Sequence, residues 1–338
     1  MVFTDPEPWQ PHVWRSELKD AVTSVAELGR VLRLPLEDCD EGAIAGFPLR
    51  VPRPFVARMR RNDPDDPLLR QVLPAAAEKE PVSVLPDGTR LSVDPLREND
   101  YARAPALIQK YRGRALLIAT PACAVHCRYC FRKHFPYEDH SPGRREAALA
   151  VLREDDEIAE VILSGGDPLV MTDASLGRLI RCLDSILHIE RLRIHTRLPI
   201  VLPSRITRDL LDILASTRLR VVVVVHANHP QELDSDTARA FACLRGAPGI
   251  TLLNQTVLLR GVNDAAPALC ALSERLFAQG VLPYYLHMPD AVIGTHGFHV
   301  TEVRARQIHD AMAERLPGYL LPKLAREEPG RAAKTVLA

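Results

Sequence analysis

Residues 115–135 read ALLIATPACAVHCRYCFRKHF, an apolar run that breaks at Pro121 and passes straight into three cysteines, Cys123, Cys127 and Cys130. A short apolar run closed by a turn residue reads as a buried strand. Similar β-branched runs recur at 160–163 (EVIL), 192–195 (LRIH), 220–226 (RVVVVVH), 251–258 (TLLNQTVL) and 282–287 (LPYYLH). Between them lie segments with apolar residues at helical spacing, such as Leu176, Leu179, Ile180, Leu183 and Leu187, or Val303, Ile308, Met312 and Leu316. Strands alternating with helices predict six βα units around a parallel sheet, wound into an open barrel or a singly wound sheet. No repeat of solenoid length is present.

The chain has 338 residues, 46% of them hydrophobic, with 43 Lys+Arg against 43 Asp+Glu. That balance offers no electrostatic footprint for nucleic acid or a membrane surface. Apolar runs such as 221–225 fall far short of the ~18 residues a spanning helix needs. Residues 1–10 (MVFTDPEPWQ) have neither a basic start nor an apolar signal segment, so a soluble, cytoplasmic protein is expected. Residues 1–100 read as a helical extension packed on the barrel. They hold an amphipathic helix at 16–32, Pro-punctuated stretches (Pro52, Pro54, Pro64, Pro67) and a strand or hairpin near 83–93 with Asp87 and Gly88 in the turn. Residues 101–316 form the barrel core. Residues 317–338, ending PKLAREEPGRAAKTVLA, read on position alone as a frayed tail.

Seven cysteines are too few and too uneven for a disulfide framework, and three of them crowd into C-x-x-x-C-x-x-C. The barrel layout puts that loop at the C-terminal mouth, where βα loops gather chemistry. Three thiolates can hold three irons of a cubane cluster and leave the fourth iron open. A structural zinc site completed by His126, His134 or His140 is the alternative. Cys39, Cys182, Cys243 and Cys270 stand alone and read as small buried hydrophobes.

The motif C-x-x-x-C-x-aromatic-C, with Tyr129 as the aromatic, resembles the signature of radical S-adenosylmethionine enzymes. Further likeness is carried by Tyr111, Arg114, CRYCFR (127–132), SGGDP (164–168), TRLPIVLPSRIT (196–207), NHP (228–230), LLNQTVLLRGVND (252–264) and PYYLHMPD (283–290). Together these resemble the lysine 2,3-aminomutase group from about residue 50 to residue 334. Within it, the short chain, HFPY (134–137), NDPDDPLLRQVL (62–73) and GYLLPKLARE (318–327) resemble the aminomutases that make (R)-β-lysine for elongation factor P.

The resemblance implies a partial (βα)6 TIM-like barrel and an isomerase with three cofactors. These are a [4Fe-4S] cluster on Cys123, Cys127 and Cys130, S-adenosylmethionine, and pyridoxal phosphate on Lys334. Ser164, Gly165, Gly166 and Asp167 would hold the methionyl part of S-adenosylmethionine, with Asn228 and His229 nearby. Tyr111 and Arg114 would lie by pyridoxal phosphate, where a guanidinium suits the phosphate. Lys323 competes with Lys334, and Arg331, Ala332 and Ala333 replace most of the family's glycine run. Arg132 would take the substrate carboxylate, and Asp290 and Glu327 the ε-ammonium; Glu327 stands where free-standing lysine aminomutases have aspartate.

The implied reaction removes a β-hydrogen from L-lysine with a 5′-deoxyadenosyl radical and moves nitrogen from the α to the β carbon. L-lysine, an electron donor, an elongation factor P lysine ligase and elongation factor P are the implied partners. Nucleic acid and membrane are not among them, and homo-oligomerisation stays open. A free-standing lysine 2,3-aminomutase of amino acid metabolism is the nearest rival; against it, no cysteine follows Cys270. A non-catalytic zinc-stabilised binding module is the rival from another class.

Overall fold

The valine run at 220–226 makes a strand because β-branched side chains fit a pleat covered on both faces; Val221, Val223, Val224 and Val225 are all buried. The computed structural model describes residues 6–36, 47–140 and 145–338. Its strands are β1 (Ala102–Ala104), β2 (Leu107–Tyr111), β3 (Arg114–Thr120), β4 (Glu160–Gly165), β5 (Arg191–Thr196), β6 (Arg220–Val225), β7 (Ile250–Val257), β8 (Leu282–His287), β9 (Lys323–Arg326) and β10 (Thr335–Val336). The helices are α1 (Pro11–Lys19), α2 (Val25–Leu32), α3 (Arg53–Val56), α4 (Pro67–Arg70), α5 (Arg145–Glu154), α6 (Asp173–Asp184), α7 (Leu198–Val201), α8 (Arg208–Ala215), α9 (Ser235–Gly246), α10 (Ala266–Ala278) and α11 (Glu302–Ala313).

All strands join one sheet in sequence order. β3 to β9 run parallel, while β1–β2–β3 and β9–β10 pair antiparallel. Among the described residues β1 and β10 do not pair, so the sheet is a partial barrel of six βα units with antiparallel edges. The six expected strands are β3 to β8, each within two residues of its expected bounds. Several crossover helices begin at a side-chain cap: Thr172, Thr207, Asp234 and Thr301 accept from the backbone N–H three residues on. Such caps satisfy helix N-termini that would otherwise lack partners.

One buried core joins the strands to Trp14, Leu28, Phe55 and Leu69 of the N-terminal region. A second, containing Leu258, Leu286, Met312, Leu316 and Leu324, closes the β8–β9 side. Among the described residues no helix is long and apolar enough to cross a membrane. Cys243 and Cys270 are buried and Cys182 is half-buried, whereas Cys39 lies outside the described residues.

Three local expectations need correction. The helix expected at 16–32 is two helices, because Val22 and Val51 exchange backbone hydrogen bonds (2.8 and 2.9 Å) and Ser24 restarts the helix as a cap. The hairpin at 83–93 turns at Gly88 with φ +85°, but pairs only through a Val84–Arg90 bridge. The segment 317–338 is not a frayed tail. Leu324 and Ala325 are buried in β9, which extends the parallel sheet beside β8, and β10 folds back onto it. Apolar periodicity also overreached at Leu187 and Val303, which are exposed.

Leu324→Ala should destabilise the protein by about 2–5 kcal/mol through lost burial and a residual cavity. A lowered urea midpoint together with faster proteolysis near the C terminus is the expected result.

Candidate active site

The loop after β3 has no helix or strand of its own, so its shape comes from its surroundings. From one side the Gly165–Gly166 pair presses on it: a Cβ on Gly166 would lie 2.2 Å from the Ala122 carbonyl oxygen, and Gly165 has φ +110°. Only glycine permits that approach. The Gly166 and Asp167 N–H groups donate to Thr120 and Ala122 carbonyls at 2.7 and 2.8 Å. From the other side the N-terminal region clamps it. Arg128, fully buried, donates to Glu78 and to the Phe47 carbonyl, and its N–H donates to Gln71 O at 2.9 Å. His126 N–H donates to Arg50 O at 3.0 Å. Tyr137 of HFPY donates to Gly165 O at 2.8 Å.

Within this frame the three cysteines are half-buried, and Arg197 Nη1 donates to Cys127 Sγ at 2.8 Å. Burial pushes the Cys123 thiol well up, aided by the Asp167 charge, and pushes Cys130 to about 12, aided by Cys127. Thiols so disfavoured as free thiolates are stabilised by binding to iron, which deprotonates them. Of the histidines that could complete a zinc site, His126 Nδ1 meets Pro48 O at 2.7 Å and His134 Nε2 meets Ile293 O at 3.1 Å, while the side chain of His140 lies outside the described residues. Three soft thiols on one loop are the donor type that holds a cluster with one iron open.

Below the loop, inside the barrel, is a cavity of about 400 Å³. Arg132, Ser164, Asn228, Tyr111, Arg114, Lys334, Asp290 and Glu327 are among the residues that line it. Arg132 is gripped by Glu98 in a two-pronged pair (2.7 and 2.9 Å) and reaches Ser164 Oγ at 3.0 Å. Arg114 lies 4.5 Å over the Tyr111 ring, and burial together with the nearby Glu327 charge raises the Tyr111 hydroxyl. Glu327 accepts from Lys334 Nζ at 2.6 Å and Lys110 Nζ at 2.9 Å. Burial alone would raise the Glu327 carboxyl, but the two ammonium groups outweigh it and hold it at about 2. Asp290 has the opposite fate: burial, reinforced by the Glu327 charge, pushes it up to about 7. On the inner wall, burial lowers His195, His226 (to about 3) and His287, leaving all three neutral at pH 7.

Lys334 lines the cavity, whereas Lys323 is exposed on β9 and does not. Cys123, Cys127, Cys130, Gly165, Gly166, Asp167 and His229 lie outside the lining of this cavity. Asp167 accepts from Thr196 Oγ1, Leu169 N and Arg197 N at 2.7–3.0 Å. His229 Nδ1 accepts from Gln231 N, and neither residue lines the cavity. Their visible work is to fix the ends of β4 and β6. Sequence reading missed Glu98, Lys110 and Arg197. Lys110 adjoins Tyr111 and had a positional signal, while Glu98 sits in REND, which looks like any solvated charge run.

Residues 117–265 match the Radical SAM superfamily. The chain is 46% identical over 330 residues to the L-lysine 2,3-aminomutase of Haemophilus influenzae, covering 96% of this chain and 95% of that one. It is 47% identical over 332 residues to the Escherichia coli L-lysine 2,3-aminomutase, covering 96% and 94%. Against the L-lysine 2,3-aminomutase of Clostridium subterminale identity is 32%, over 95% of this chain and 77% of that one.

The raised Asp290 carboxyl has a stability consequence. Its pKa is about 7 when folded against an ordinary 3.8, so the folded chain holds this proton more tightly. The stability it supplies is complete below about pH 4 and is lost as pH rises through about 7. Without added ligands, Asp290→Asn should match wild type in melting temperature near pH 4 and exceed it increasingly toward about pH 8. Parallel melting curves across that range decide it.

Proposed function

Because the chain belongs to the L-lysine 2,3-aminomutase family of radical S-adenosylmethionine enzymes, and is thus an isomerase, we propose that it converts L-α-lysine to (R)-β-lysine for modification of elongation factor P. The observation that carries the lysine reading is Glu327. Its carboxylate already holds two alkylammonium groups, beside Asp290, in the cavity that Lys334 and Arg132 also reach. The elongation factor P role is supported by HFPY and GYLLPKLARE, the segments that carry the resemblance to those aminomutases. A cytoplasmic setting, a separate lysine ligase and a low-potential electron donor complete the proposal. Residues 1–100 would serve as the clamp, 101–316 as the barrel core and 317–338 as the carrier of Lys334.

Cys123, Cys127 and Cys130 would hold the [4Fe-4S] cluster, Gly165 and Gly166 would let S-adenosylmethionine approach the β4 end, and Arg114 and Tyr111 would bind the phosphate of pyridoxal phosphate. When bound, these groups supply one-electron hydrogen abstraction and a covalent carrier for the migrating nitrogen. The chain's own part is placement. Arg132, fixed by Glu98, presents a guanidinium for the substrate carboxylate. Asp290 gives up its proton as the ε-ammonium arrives, since an adjacent cation favours the carboxylate. Lys334, once joined to its cofactor, leaves Glu327 to Lys110 and the substrate. The neutral histidines wall off water without adding a competing positive charge.

Reduced, cluster-reconstituted protein given lysine, S-adenosylmethionine and pyridoxal phosphate should form β-lysine, and elongation factor P in cells lacking the chain should lose its β-lysyl mass. Replacing Cys123, Cys127 or Cys130 with alanine should remove the visible absorbance of the cluster and all turnover. Lys334→Ala should keep full iron but no longer be labelled by pyridoxal phosphate and borohydride. Labelling of Lys323 in the wild type would overturn that assignment. Asp290→Asn should lower kcat/KM for lysine by at least about tenfold, with weaker pH dependence between about 6 and 8.

A further inference from the structure

The first arginine of TRLPIVLPSRIT stands beside a cysteine of the loop after β3. Arg197 is 5% exposed. Its Nη1 donates to Cys127 Sγ at 2.8 Å, and Nη2 donates to Gln71 Oε1 at 2.7 Å and Glu232 Oε2 at 3.2 Å. The guanidinium lies 5.2 Å from the Phe55 ring and 5.7 Å from the Tyr129 ring. Its backbone N–H is tied to Asp167 Oδ2 at 2.7 Å. Five groups other than cysteine therefore hold it in place, including the aspartate of SGGDP.

We propose that Arg197 raises the reduction potential of the cluster by keeping a permanent cation and an N–H donor on Cys127. The proposal rests on the reading that Cys127 is a cluster ligand. Reduction brings one electron from a low-potential donor, makes and breaks no bond, and adds one negative charge to the cluster. A guanidinium does not lose its proton in proteins, so its charge is present in both redox states. In a dry site it favours the more negative state, and hydrogen bonds to the sulfurs act in the same direction. Glu232 works against it. That carboxylate is fully buried and accepts from Arg197, from Gln71 and from the Asn228 and His229 N–H groups. Arg197 thus acts as a positioning residue, through the cluster, and does not itself touch substrate.

The test is a redox titration with dithionite and mediators, followed by electron paramagnetic resonance, on reconstituted protein whose iron and sulfide have been counted. At the potential that half-reduces wild type, Arg197→Met should show a reduced-to-oxidised ratio about tenfold lower, equal to about 59 mV for one electron. Arg197→Lys should fall between the two, and Glu232→Gln should move the midpoint upward. An unchanged midpoint in iron-replete Arg197→Met overturns the proposal. Should that variant fail to hold iron, Glu232→Gln decides: an upward shift supports the role and no shift overturns it. Wild-type protein that bound no iron would instead refute the cluster reading itself.

Discussion

Everything near the cavity depends on holding an irregular loop of three cysteines in one shape. The loop makes no helix or strand, so its backbone groups need partners from elsewhere, and buried backbone left unpaired is costly. Three sources supply them. The Gly166 and Asp167 N–H groups bind its first residues, Gln71 and Arg50 carbonyls bind its middle, and the Arg128 side chain fastens it to Glu78 and Phe47. The N-terminal region is consequently part of the site. It shares a core with the barrel through Trp14, Phe55 and Leu69, and its polar groups are directed at the loop.

A second constraint is electrostatic. Arg132, Glu98, Lys110, Glu327 and Lys334 form a chain of alternating charge along the cavity, each contact between 2.6 and 3.5 Å. Charges removed from water are tolerable only when paired, and breaking one pair strands the other. Glu98 is held ionised in this way: burial would raise it, but Arg132 and Lys110 outweigh burial. Asp290 stands beside the chain, where burial and the Glu327 charge outweigh Lys334 and Lys110, and keeps its proton to about pH 7. The lining carries Lys110, Arg114, Arg132, Arg193 and Lys334 against Glu98, Glu327 and Asp290, so an incoming ammonium is received by those local carboxylates and not by the net charge of the cavity. That is the charge logic of an amino acid with an ammonium at its far end.

The glycine pair and the histidines show how packing and function overlap. Gly166 is needed because the Ala122 carbonyl occupies the space of its Cβ, whatever ligand binds there. Asp167, in the same motif, spends both oxygens on Thr196, Leu169 and Arg197, so its nearest effect is to join β4 and β5 to the cysteine loop. A motif can be tied to a cofactor and still work mainly by shaping the protein around it.

Local sequence determined the parts of this protein whose physics is local. Continuous β-branched runs produced six strands at their expected places, because a strand covered on both faces needs little beyond apolar side chains. The cysteine spacing determined the chemistry on offer, since three soft donors on one short loop suit few metals. Tertiary structure decided the rest. The C-terminal segment became strands because β8 offered an open edge and Leu324 a place in the core, neither of which shows in PKLAREEPGRAAKTVLA. Glu98, Lys110 and Arg197 joined the site through partners 34, 217 and 70 residues away. A charge shows its role only when burial forces it to find a counter-charge, and burial belongs to the fold.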